Sequence, residues 1–264
     1  MGYVFEFKEA GAYDEWFRRD ANRHCLDLEI CLMMDLLAPE KGQRILDIGC
    51  GTGMSLGPLL DRGLNLTGID PSPYMLDVAH ENLGGRVDLH RGSAEDLPFE
   101  DNAFDTAFFF TSLEFTDRPA KAIEEACRVA KDRVVIGVLN RYAPLNMFRR
   151  FKSFFVPDIY THAQFFSIWE LRQMLFSILG HVPVKWGTTV QFPFLRGRAV
   201  TYVENLRWVR KSFWGTFIAM RIKPVPKFRT RPLALRVGKH KIYQPATGLV
   251  SNFRAKDENG NLPV

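Results

Sequence analysis

Between residues 44 and 139, short apolar runs alternate with stretches whose apolar residues return every three or four positions. That rhythm is the one expected of strands joined by helices. Residues 44–49 read as a buried strand that ends in a glycine turn, followed by a helix over 53–62 with Leu56, Leu59 and Leu60 on one face. Residues 64–69 give a second strand. A helix then opens around Pro71 and Pro73, suited to a first turn, with Met75, Leu76 and Ala79 inward. Residues 86–90 and 104–111 supply the third and fourth strands. Residues 119–130 form a helix through Ile123, Cys127 and Ala130, and 133–139 a fifth strand rich in Val and Ile. Sequential strands joined by helices imply a parallel, doubly wound α/β sheet.

The flanks extend this core. Residues 13–37 predict an N-terminal helical cap, with Ile30, Met33, Met34 and Leu37 at helical spacing and Pro39 as its stop. Residues 140–166 lose periodicity and become basic and aromatic, with Arg141, Arg149, Arg150 and Lys152. Ser167 and Glu170 make a capping box for a helix that runs to Leu179 and stops at Gly180. Residues 181–187 and 216–222 alternate well enough to be the last two strands. The expected domain therefore spans 1–222, with its core at 40–140 and covering insertions at 140–166 and 188–215. Residues 223–264, with Pro224, Pro226, Pro232, Pro245 and Pro263, read as an extended tail.

Composition changes this picture little. The 264 residues are 46% hydrophobic and 25% charged, as in globular chains. No apolar run is long enough to span a membrane, and the first residues lack the pattern of a secretory signal. The expectation is a soluble, cytoplasmic protein. Charge is less even. Residues 222–264 hold nine Lys/Arg against Asp257 and Glu258, or +7, so residues 1–221 carry −2 of the net +5. Such a tail suits nucleic acid, an anionic membrane surface, or solvent alone. Cys25, Cys31, Cys50 and Cys127 form no C-x-x-C pair and read as reduced thiols; no metal-ligand spacing occurs.

Chemistry concentrates in residues 45–54, where a strand runs into D-x-G-x-G-x-G from Asp47 to Gly53. Glycines let the backbone turn sharply and approach a ligand, and a helix N-terminus behind them would offer N–H groups. A dinucleotide loop wants G-x-G-x-x-G, but counting from Gly49 the sixth residue is Met54 and Gly53 comes one place early. Asp47 would repel a pyrophosphate and attract an ammonium. Asp70, at the end of the second strand, can accept both hydroxyls of a ribose. A nicotinamide-dependent oxidoreductase is thus disfavoured.

Residues 45–54, 68–75, 92–99, 104–114 and 118–128 together resemble the class I S-adenosylmethionine (SAM)-dependent methyltransferases, in the subgroup of the ubiquinone and menaquinone biosynthesis enzymes (methyltransferase type 11). The resemblance is strong over 45–140 and weaker outside. It implies a seven-stranded, mostly parallel Rossmann-like sheet with an antiparallel last hairpin, SAM as cofactor and S-adenosylhomocysteine as product. It implies that Gly49, Cys50, Gly51 and Gly53 pass along the methionine part, that Asp47 holds the amino end, and that Asp70 binds the ribose beside Pro71. Met75 would pack on adenine. The family commonly has Asp where this chain has Ser93, which leaves Ser93, the Ala94 backbone or Glu95 for the adenine edge. Thr111 would lie beside the methyl group, with Glu114 and His162 as candidate proton acceptors and Tyr13 and Trp16 closing over the cofactor. The expected acceptor is a small molecule of apolar or aromatic character. RNA or protein, reached through the basic tail, and a non-catalytic SAM-binding subunit are the alternatives.

Overall fold

The computed structural model describes residues 2–6, 11, 20–153, 161–195 and 197–224. Tyr13, Trp16 and the tail from residue 225 lie outside them.

The first described helix, α1 (Asp20–Leu37), packs across the later strands of the sheet. Strands β1 (Arg44–Ile48) and β2 (Asn65–Asp70) follow, then α2 (Pro73–Leu83), β3 (Asp88–Arg91), β4 (Phe104–Phe110), α3 (Pro119–Val129) and β5 (Ala130–Leu139). The C-terminal part adds α4 (Pro144–Ser153), α5 (Ile168–Leu179), β6 (Val184–Thr189), α6 (Arg198–Glu204) and β7 (Phe217–Ile222). The seven strands take the order β3-β2-β1-β4-β5-β7-β6, all parallel except β7, which runs antiparallel to both neighbours.

Alternation along β4 builds both layers of core. Ala107 and Phe109 face α3 and α5 together with Leu46, Ile48 and Ile136. Phe108 and Phe110 face α1 and α2 with Ile45, Val135 and Phe217. Phe108 and Phe109 are 1% and 0% exposed, and burying each ring is worth about 2–3 kcal/mol. The switch point between β1 and β4, where strand order reverses, opens a crevice at the carboxyl ends of the strands.

One element departs from its expectation. In place of a helix over 53–62, only a short 3-10 turn forms at Gly57–Arg62, kinked at Asp61. Gly57 and Pro58 stand in the middle of that span: the glycine adds backbone entropy and the proline has no N–H to continue a hydrogen-bond ladder. The glycine loop therefore lacks the α-helix N-terminus that its spacing implied. Smaller shifts are of one to four residues, as in β5, which begins at Ala130, and β6, which begins at Val184. No disulfide joins the four cysteines, and among the described residues no helix is long and apolar enough to cross a membrane.

Candidate functional site

A cleft lies at the carboxyl ends of β1, β2 and β4. The glycine loop forms its floor. The Gly49 and Cys50 N–H groups both donate to the Ile69 carbonyl, at 2.7 and 3.0 Å, and Gly53 N–H donates to the Cys50 carbonyl. Those donors are consumed by β2 and by the loop itself, so they offer no cradle for a pyrophosphate. Gly49 adopts φ +74°, and a Cβ there would stand 2.5 Å from Ser112 Cβ, so only glycine lets the turn pass under the end of β4.

Asp70 ends β2 at the cleft wall. Its Oδ1 accepts from Ser72 N–H (2.9 Å) and its Oδ2 from Gly51 N–H (3.0 Å). Two backbone donors fix the carboxylate while a second lone pair on each oxygen remains for a diol. Burial pushes its pKa up to about 6, opposed by those two hydrogen bonds. Ser72 caps α2 through Met75 N–H; Met75 is 2% exposed and, with Pro71, lines the cleft.

Asp47 is placed differently from a direct ligand. It is fully buried and absent from the lining; its Oδ2 accepts from the Ser55 hydroxyl, while Oδ1 has no partner among the described residues. Burial lifts its pKa to about 7, with Ser55 lowering it and Asp70 raising it. Ser55 lies between Asp47 and the open space and is itself a lining residue. Gly53 also faces away: a Cβ there would meet Leu83 of α2 at 2.7 Å, so this glycine serves close packing of loop on helix. Cys50 lines the cleft with its thiol held protonated by burial and by the nearby Asp47 and Asp70 carboxyls.

Ser93, Ala94 and Glu95 form the opposite wall. The Ser93 hydroxyl donates to Glu95 Oε2, and Glu95 Oε1 accepts from Asp117 and Arg118 N–H at 3.1 and 3.3 Å. Burial alone would raise the Glu95 pKa, yet the Ser93 hydroxyl and the backbone donors outweigh it and hold it below the ordinary range. Both side chains thus spend hydrogen-bonding capacity on tying this wall to the start of α3. Thr111 closes β4 at φ +47°, a rare conformation for a β-branched residue, and its Oγ1 is buried without a partner among the described residues. Strain of this kind is of order 1–3 kcal/mol and gathers at functional sites.

A second cavity adjoins the cleft through Gly2, Tyr3, Phe115 and Thr116, and adds Val4, Glu114, His162 and Gln164. His162 is exposed and stacks on Tyr3, centroids 4.2 Å apart. Glu114 is the opposite case: 1% exposed, with Oε1 accepting from Leu139 N–H (2.7 Å) and Oε2 unpartnered among the described residues. Burial pushes its pKa up to about 8, helped by Glu29 of α1, whose own carboxyl burial lifts to about 7 against the pull of Arg149. Glu29, Ser55, Tyr3 and Phe115 carry no motif that sequence spacing would have marked. Among the described residues no cluster of side chains suited to a metal ion forms.

A sequence-family model for a methyltransferase domain matches residues 46–136. An uncharacterized protein of Methanocaldococcus jannaschii is 36% identical over 192 residues, covering 71% of this chain and 85% of the relative. A demethylmenaquinone methyltransferase of Renibacterium salmoninarum is 38% identical over 100 residues, 38% of this chain and 42% of that one. The chain likewise spans only 43% of the uncharacterized mycobacterial methyltransferases that it matches. Among solved structures, one from Thermotoga maritima, titled a SAM-dependent methyltransferase and possible histamine N-methyltransferase, superposes with TM-score 0.66 at 26% identity. That match covers 83% of this chain and 97% of the other.

Proposed function

Because the chain belongs to the SAM-dependent methyltransferases, whose cofactor is S-adenosylmethionine, we propose that it transfers the cofactor's methyl group to a small acceptor of apolar or aromatic character. The observation that carries the reading is the pair of adjoining cavities. The first has the glycine loop, Asp70 and Met75 arranged for a nucleoside with an amino-acid end; the second sets Tyr3, Val4 and Phe115 beside the polar Glu114, Thr116, Asp117, His162 and Gln164. A relative named for demethylmenaquinone, an apolar quinone, and a structural neighbour named for histamine, a small aromatic amine, support a small molecule over a polymer as acceptor.

In this reading Asp70 takes the ribose hydroxyls, Pro71 and Met75 bound the adenine, and the Ala94 backbone meets its edge. Gly49, Cys50 and Gly51 flank the methionine part, with Asp47 acting on the amino end through Ser55. Methyl transfer from a sulfonium is an in-line displacement, so the protein's part is alignment and exclusion of water. Thr111, fixed at the strand end, sets the floor on which the acceptor atom rests. Glu114 is neutral near pH 7 and acts there as a hydrogen-bond donor or fixed dipole; His162, stacked on Tyr3 at the mouth, is the candidate proton acceptor. Labelled SAM offered to small aromatic and aliphatic amines, phenols and acids, alongside RNA and protein, tests the reading. Turnover among the small acceptors supports it, and turnover confined to RNA or protein overturns it.

Glu114 also gives a stability prediction. Its folded pKa of about 8 stands above its ordinary 4.5. Between those values the folded chain holds a proton that the unfolded chain has lost, so stability falls as pH rises from about 4.5 to 8. Asp47 and Glu29, both raised to about 7, act in the same sense. Glu114→Gln keeps an acceptor for Leu139 N–H and removes the ionisation. Urea midpoints from pH 5 to 9 should fall less steeply in this variant than in the native chain; equal slopes would mean that Glu114 ionises freely.

A further inference from the structure

Residues 140–153 and 205–216 contain no acidic residue and carry seven Lys/Arg between them, of which Arg141 and Arg210 pair with Glu170 and Asp35. The fold brings these two segments together at the carboxyl edge of the sheet. Asn140 Nδ2 donates to the Phe213 and Gly215 carbonyls, each at 2.8 Å. Asn146 Nδ2 donates to the Asn140 carbonyl (2.9 Å) and the Thr216 carbonyl (2.8 Å). Asn146, 1% exposed, is the buried residue of α4, so these bonds fix which side of the helix faces inward.

The helical period then sets what faces out. Residues 148, 151 and 152 fall on the side opposite 146, with 147 on the flank and 150 nearer the 146 side. Met147 is 57% exposed and Phe148 and Phe151 are each 63% exposed, with exposed Arg150 and Lys152 among them. Exposed aromatic pairs flank the helix. Tyr142 meets Trp169 edge to face with centroids 6.3 Å apart, and Phe213 packs on Trp214 at 4.4 Å. So many large apolar side chains left exposed beside cations, with no carboxylate in their own segments, are unusual on a globular surface.

We propose that this face seats on an anionic lipid surface, with α4 lying in the headgroup plane. Met147 and Phe148 enter the acyl boundary, Arg150 and Lys152 meet lipid phosphates, and the flanking Trp and Tyr rings sit at the polar–apolar border. Charge complementarity names the occupant: cations bordering aliphatic and aromatic side chains on a convex helix match a negatively charged bilayer. A groove with stacking platforms, which single-stranded RNA requires, is a different shape. The face lies on the same edge of the sheet as the cleft, yet the proposal is independent of the acceptor's identity.

The test is sedimentation of the full chain with phosphatidylcholine vesicles, with and without phosphatidylglycerol, followed also by tryptophan emission. Binding to the anionic vesicles, a blue shift and a loss of binding at high salt are expected. Met147→Glu/Phe148→Glu and, separately, Arg150→Glu/Lys152→Glu should each lower partitioning by about tenfold or more. S-adenosylhomocysteine binding and circular dichroism should stay unchanged. Failure to bind either vesicle overturns the proposal. So does vesicle binding that both variants retain, which would place it elsewhere in the chain, and so does preference for a single-stranded RNA over the vesicles.

Discussion

Asp70→Ala should weaken binding of both S-adenosylmethionine and S-adenosylhomocysteine by about a hundredfold, equivalent to about 2.7 kcal/mol. Two losses combine. The carboxylate is the charged acceptor at the cleft wall, and charge-assisted hydrogen bonds to a ligand are worth about 1.5–3 kcal/mol each. The same carboxylate also holds the Gly51 and Ser72 N–H groups, at 3.0 and 2.9 Å, and so ties the glycine loop to the end of β2. Calorimetric titration of the native and variant chains measures the effect. Affinity unchanged within a factor of three would remove Asp70 from the site. The pH arm has a definite sign. With a pKa raised to about 6, Asp70 is ionised above that value and neutral below it. Native affinity should therefore fall as pH drops below about 6, whereas Asp70→Asn should be weak throughout and nearly flat.

Arg128→Ala should cost about 3–5 kcal/mol of folding stability, the range for stripping one partner from a buried ion pair. The Arg128 side chain is 7% exposed and donates to two carboxylates and two carbonyls. It reaches Glu125 Oε2 at 2.6 Å, Asp101 Oδ1 at 2.9 Å and the carbonyls of Leu97 and Phe99 at 2.9 and 2.7 Å, while Nε meets Glu125 Oε1 at 3.1 Å. Burial opposes ionisation of Glu125, but Arg128, Leu97 N–H and Lys121 together hold its pKa below the ordinary range. Alanine leaves that carboxylate buried and uncompensated and frees the loop of residues 97–101, which continues from the cleft wall at Ser93–Glu95. Urea denaturation should show the loss, and cofactor affinity should drop as well. The double variant Arg128→Met/Glu125→Met should cost less than Arg128→Ala alone, because no lone charge remains. A single variant within 1 kcal/mol of native would show that the network contributes little.

Much of the site was legible because it depends on short-range spacing. Asp47 to Gly53 run from the end of one strand into its turn, and Asp70 closes the next, so alternating periodicity and the distance between them suffice to place a glycine loop beside a carboxylate. Ser93, Glu95 and Thr111 were reached through the family resemblance, and all three line the cleft. What each polar atom does there was hidden. Ser93 and Glu95 bond one another, Asp47 lies beneath Ser55, and Gly53 faces Leu83 rather than the open cleft.

By itself, then, the sequence determined the alternation of strand and helix, the glycine turn after β1 and the carboxylate at the end of β2. Periodicity, backbone freedom at glycine and capping chemistry all act within a few residues. Only the tertiary structure decided the rest. It brought Glu29 of α1 into electrostatic reach of Glu114 and latched α4 to residues 213–216 through Asn140 and Asn146. Those outcomes rest on desolvation and on contacts between distant segments, and no local pattern encodes which buried carboxyl will find a partner or which helix face will be left to solvent.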